Sequence, residues 1–117
     1  MKLPPFEYAS PGTLQEAIAL LAKHNGEARP IAGGQSLLPL MAFRLAAPSL
    51  LVDLTRIPGL DRIEIREDCV HVGALTRWCQ IESDERLIAA HPLLREAVKH
   101  IAHYQIRNRG TIGGSLA

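Results

Sequence analysis

Nearly the same phrase occurs twice in this chain, as Ile31-Ala32-Gly33-Gly34-Gln35-Ser36-Leu37 and as Thr111-Ile112-Gly113-Gly114-Ser115-Leu116. Paired glycines permit positive φ and bring backbone N–H groups close to a ligand without side-chain obstruction, and the serine adds a hydroxyl donor. Each phrase follows a short apolar stretch. Where such a loop opens a helix, as residues 36 to 45 suggest, the free amides favour a phosphate. One such loop is better explained by a plain turn, whereas two at opposite ends of a chain make a shared ligand as good a reading. Neither phrase has the Gly-x-Gly-x-x-Gly spacing of a dinucleotide fold or the Gly-Lys-Ser/Thr ending of a P-loop. With lysines only at 2, 23 and 99, a diphosphate would be held by neutral donors, which suits retention of a cofactor better than phosphoryl transfer.

Composition narrows the fold. Of the 117 residues, 47% are hydrophobic and 4% aromatic, so the core must be built from Leu, Ile, Val and Ala, as in a mixed α/β domain. No apolar run reaches the roughly 18 residues of a membrane span. Thirteen basic and twelve acidic residues nearly cancel, which leaves no nucleic-acid footprint. The opening Met-Lys-Leu-Pro-Pro-Phe has no apolar segment before its prolines, so export is not expected and a cytoplasmic location follows. Cys69 and Cys79 have the wrong spacing for zinc or an iron–sulfur cluster and read as buried thiols.

Thr13-Leu14-Gln15-Glu16 is a capping box that predicts a helix over 14–24, stopped by Asn25-Gly26. Arg29–Ala32 and Leu50–Leu54 read as buried strands. Between them Ser36 is placed to cap a short buried helix over 37–45. Ile57-Pro58-Gly59 is a turn that divides two lobes, 1–56 and 57–117. Period-two alternation predicts an antiparallel hairpin from 63–66 and 69–72, with His71 on its polar side. Thr76 is a candidate cap for a short helix with Trp78 and Ile81, Ser83 or Asp84 for the next, and Pro92 starts a third that carries Leu94, Val98 and Ile101. His100 and His103 read as end caps of that helix rather than metal ligands, and no metal or catalytic constellation is expected.

The stretches Phe6–Pro11, Ala32–Met41, Leu51–Leu54, Gly73–Arg77 and Gln105–Ser115 together resemble the medium, flavin-binding subunits of the molybdenum hydroxylases, a family that includes carbon monoxide dehydrogenases and the FAD-binding part of xanthine dehydrogenases. The resemblance implies an α+β fold of the PCMH type: a small first lobe of strand, helix and strand, then the start of a larger antiparallel-sheet lobe, with the cofactor between them. It further implies that Ala32, Gly33, Gly34, Gln35, Ser36 and Leu37 wrap one side of the FAD diphosphate and Thr111, Ile112, Gly113, Gly114 and Ser115 the other. Ile101 matches a position near the isoalloxazine ring, although a core role in its helix is as good a reading. Partners follow in the same way: a small subunit with [2Fe–2S] centres and a large molybdopterin subunit. Members of the family continue past the second phrase, so the chain is expected to be a truncated member, prone to self-association through open strand edges. The rival expectation is a non-catalytic fragment that only docks to a partner or binds phosphate generically.

Overall fold

Leu50, Leu51 and Val52 are consecutive apolar residues, and a strand of that kind needs cover on both faces and partners on both edges. In the computed structural model, which describes residues 2–117, all three are buried in β3 (Leu50–Asp53), the centre of a three-stranded parallel sheet. On one side lies β1 (Glu7–Ala9), with Tyr8 in register with Leu51. On the other lies β2 (Ala28–Ile31), whose Ile31 faces Asp53 across the ladder. Parallel strands that follow one another in the chain require crossovers, here α1 (Leu14–Lys23) from β1 to β2 and α2 (Leu37–Ala42) from β2 to β3. The chain divides after Pro58 into two compact units.

In the first unit the cap of α1 forms as the sequence predicts, with one change. Thr13 Oγ1 accepts the Glu16 N–H at 3.2 Å, but the Glu16 carboxylate reaches back to the Gly12 N–H at 3.1 Å rather than to the cap residue. Asn25 and Gly26, with φ of 39° and 92°, then turn the chain into β2. Three expectations are corrected. β2 is not buried: Arg29 and Pro30 are exposed because β2 is an edge, where a proline lacking an N–H is tolerated. Ser36 makes no side-chain cap. The helix after it ends at Ala42 and buries only Met41, while Leu40, Phe43 and Leu45 are exposed.

The second unit begins with the expected antiparallel hairpin, β4 (Ile63–Ile65) and β5 (Val70–Val72), with Glu64 opposite His71 on the outer face. Its inner residues Ile63, Ile65, Val70 and Val72 pack on a core of Trp78, Ile81, Leu87 and Val98. That core comes from α3 (Trp78–Ser83), α4 (Arg86–Ala90) and α5 (Pro92–Val98), and two more helices follow, α6 (Tyr104–Arg109) and α7 (Ile112–Leu116). Short helices rather than further strands therefore make up most of this unit. Asp84 Oδ1 accepts the Arg86 N–H at 3.0 Å, and His91 Nδ1 accepts the Leu94 N–H at 3.2 Å, so an imidazole caps the helix that Pro92 starts. His100 and His103 are not caps of that helix's end: it stops at Val98, and the His103 ring meets the Gln105 amide oxygen at 3.0 Å. Cys69 is exposed rather than buried, because it falls on the tip of the hairpin.

Thr76 is not a helix cap. It is fully buried, and its hydroxyl has no partner among the described residues. Exchanging a buried, unpaired hydroxyl for a methyl of the same shape removes a desolvation penalty. Thr76→Val is expected to leave urea-measured stability unchanged or raise it by about 1 kcal/mol, and a clear loss would mean that the hydroxyl has found a donor or acceptor.

Candidate functional site

The first glycine phrase leaves β2 at its carboxyl end, the side on which parallel sheets bind ligands. Gly34 has a φ of 72°, a conformation that disfavours any side chain, and an added Cβ would stand 3.0 Å from Leu38 Cδ1. The loop folds on itself through Gln35 Nε2, which donates to the Gly33 carbonyl at 3.1 Å, and the Leu38 N–H closes onto the Gly34 carbonyl at 3.1 Å. Among the described residues no acceptor takes the N–H groups of Gly33, Gly34, Gln35, Ser36 or Leu37. Five consecutive unpaired amides around a left-handed glycine offer a set of neutral donors of the kind that binds phosphate. The residues present therefore fit a diphosphate, with Ala32 at the entry and Leu37 at the first turn of α2.

The second phrase is built differently. Gly113 and Gly114 lie inside α7 and neither has positive φ, so the expectation of a second turn with free amides is corrected. The Ile112 N–H donates to the Thr76 carbonyl at 3.0 Å, Gly113 to the Ala74 carbonyl at 2.8 Å, Gly114 to Thr111 Oγ1 at 3.2 Å and Ser115 to the Thr111 carbonyl at 3.2 Å. Thr111 is buried and bridges to Arg77, and the Trp78 N–H donates to the Gly110 carbonyl at 3.1 Å. Residues 110–113 are thus seated on residues 74–78. A Cβ on Gly113 would approach the Ala74 carbonyl oxygen to 2.6 Å, so this glycine is required for close backbone approach. Gly114 and the Ser115 side chain remain exposed.

Ile101 lies beyond the end of α5, in a turn where Ala102 has a φ of 43°. Its side chain packs on the Trp78 core, and its carbonyl accepts from Arg107 at 3.0 Å. The same guanidinium donates to the Glu82 carboxylate at 3.2 Å, with the arginine side chain only 14% exposed. Arg107 is therefore an internal brace, whereas Tyr104 and Arg109 are exposed. No local sequence pattern links Glu82 to a residue on another helix, so the brace exists only in the tertiary structure.

A second cluster, also missed, sits at the carboxyl end of β3. Asp53 Oδ1 accepts the Thr55 N–H at 2.8 Å and the Thr55 hydroxyl at 2.7 Å, while Oδ2 accepts the Tyr8 hydroxyl. Desolvation pushes the Asp53 carboxyl up, but the hydrogen bonds from Tyr8 and Thr55 outweigh it and hold the group below its ordinary value. The bond to that carboxylate in turn raises the Tyr8 phenol. Leu51-Val52-Asp53-Leu54 was legible as a strand, but not as a hydrogen-bonded corner.

A family model for the FAD binding domain in molybdopterin dehydrogenase matches residues 4–117. The 6-hydroxypseudooxynicotine dehydrogenase complex subunit alpha of Paenarthrobacter nicotinovorans is 49% identical over 117 residues, covering 100% of this chain and 40% of that protein. Caffeine dehydrogenase subunit beta of Pseudomonas sp. (strain CBB1) is 41% identical over 116 residues, covering 99% and 39%. Among solved structures, carbon monoxide dehydrogenase from Hydrogenophaga pseudoflava matches with a TM-score of 0.96 at 46% identity, covering 99% of this chain and 40% of that one. The chain thus spans about 40% of the length of the relatives it matches. The α+β architecture expected from the sequence is the architecture of that structure. With the family match running from residue 4 to the last residue, this chain belongs to the FAD-binding domain family of the molybdopterin dehydrogenases, a family whose cofactor is FAD.

Proposed function

We propose that the chain holds FAD within a molybdenum hydroxylase, where electrons from the [2Fe–2S] centres of a small subunit, supplied by a molybdopterin site in a large subunit, pass through the flavin to an external acceptor. The observation that carries this reading is the run of five unpaired amides from Gly33 to Leu37 around left-handed Gly34. Neutral amides stabilise the diphosphate without transferring a phosphoryl group, and redox chemistry is supplied by the bound flavin. In this proposal Ala32, Gly33, Gly34, Gln35, Ser36 and Leu37 bind through the backbone. Thr111, Ile112, Gly113, Gly114 and Ser115 bind as a rigid edge seated on residues 74–78, which offers the Ser115 hydroxyl and the bare surface of Gly114. Ile101, its carbonyl fixed by Arg107 and its side chain half-buried against the Trp78 core, offers only its exposed part to the ring system. The two free cysteines, one of them exposed, suit a reducing compartment, and we place the complex in the cytoplasm.

The test is retention of flavin. Protein mixed with FAD and then desalted is expected to keep a flavin absorption spectrum, and a colourless protein would end the proposal. Gly34→Val forces a β-branched side chain into the left-handed region, a strain of about 1–3 kcal/mol, so its FAD dissociation constant is expected to rise roughly tenfold or more.

A further inference from the structure

β2 passes into the amide-bearing loop at Ile31, and the backbone bond that fixes this exit runs from the Leu54 N–H to the Ile31 carbonyl, 3.0 Å long. Leu54 lies inside the turn that Asp53 closes with both donors of Thr55. The other carboxylate oxygen is tethered to β1 by the Tyr8 hydroxyl. A single side chain on the central strand therefore connects to the outer strand on one side. Through the adjoining Leu54 peptide it also fixes the strand that feeds the loop on the other.

We propose that Asp53 is a positioning residue, which sets the conformation of loop 32–37 through the Leu54–Ile31 bond and so determines how tightly that loop holds the diphosphate. The inference rests on the cofactor reading above for the identity of the anion, but not for the state of the loop. Direct contact with the cofactor does not suit this carboxylate: its oxygens are engaged by Tyr8 and Thr55, and a negative charge beside a diphosphate repels it. Its influence passes through the backbone. Hydrogen bonds to an ionised acceptor are about twice as strong as neutral ones, which makes a carboxylate a firmer anchor here than a hydroxyl.

Asp53→Ala, Asp53→Asn and Tyr8→Phe separate the possibilities in the whole protein. In flavin-free samples, Asp53→Ala is expected to move the amide resonances of Gly33 and Gly34 and to speed exchange of the Leu54 amide about tenfold. With FAD added, the dissociation constant is expected to rise about tenfold, the equivalent of ~1.4 kcal/mol. Asp53→Asn, whose amide oxygen can still take both Thr55 donors, is expected to restore most of the loop resonances and of the affinity. A merely structural role would lower the melting temperature of Asp53→Ala without moving Gly33 and Gly34, and that result overturns the proposal. If the unmodified protein binds no FAD, the cofactor reading falls while the Gly33 and Gly34 resonances still decide the role of Asp53. If Asp53→Ala does not fold, Tyr8→Phe, which removes only the tether to β1, must shift the same two resonances in the same direction, or the proposal fails.

Discussion

Gly73→Ala is expected to unfold the second unit or to destabilise it by about 4 kcal/mol or more. Past β5 the chain stays beside residues 60–62, with the Gly73 N–H on the Arg62 carbonyl and the Leu75 N–H on the Leu60 carbonyl, both at 2.8 Å. A Cβ on Gly73 would lie 2.2 Å from the Leu60 oxygen and 2.6 Å from its carbonyl carbon. These are backbone atoms held by the two hydrogen bonds, so no side chain can rotate away. The segment must separate, and with it goes the seat of residues 110–113. Trp78 is the only tryptophan and is 8% exposed, so its fluorescence in urea reports the loss directly. Gly12→Ala, where an added Cβ meets nothing within 4 Å, is expected to stay within about 0.5 kcal/mol of the unmodified protein. Equal stability of the two variants would refute the close approach at Gly73.

For Gly113→Ala two effects have opposite signs. Helix propensity favours alanine by about 1 kcal/mol. Against it, the new methyl would stand 2.6 Å from the Ala74 oxygen and 2.8 Å from Ala74 Cβ, at the point where the Gly113 N–H donates to that oxygen. Overpacking against fixed backbone commonly costs up to about 3 kcal/mol and here exceeds the propensity gain. The expected result is a net loss of about 2 kcal/mol with release of α7, seen as lower stability in urea and faster exchange of the Ile112 and Gly113 amides. Gly114→Ala meets only Thr111 Oγ1, at 2.9 Å, the end of a side chain that can shift. Its effect is limited to the cap bond, about 1 kcal/mol before the propensity gain. If Gly114→Ala proved the more damaging of the pair, the seating of residues 110–113 on 74–78 would be wrong.

Patterns between near neighbours were legible in the sequence, and contacts between distant residues were not. The capped helix after Thr13, the buried strand at Leu50–Asp53, the alternating hairpin and the helix opened by Pro92 all rest on local patterns, and all of them form. The two glycine phrases were legible as special backbone, but their similar wording concealed two physical causes. Gly34 is required by its own left-handed φ, whereas Gly113 is required by a carbonyl oxygen that belongs to Ala74, thirty-nine positions earlier (113 − 74). Gly73 drew attention only through the resemblance and has the tightest approach of all. Arg107 with Glu82, and Asp53 with Tyr8, were invisible for the same reason: each pair joins separate elements that no periodicity connects.

By itself, then, the sequence determined the elements that carry local signals, the α+β class and the family, because helix caps, alternation and motif order are encoded between near neighbours, whereas α6 and α7 were not legible in it. The tertiary structure alone decided which amides stay free. A peptide N–H is available to a ligand only if no carbonyl from elsewhere in the fold reaches it. At Gly33–Leu37 none does, whereas Thr76 and Ala74 claim those of Ile112 and Gly113, and Thr111 takes those of Gly114 and Ser115.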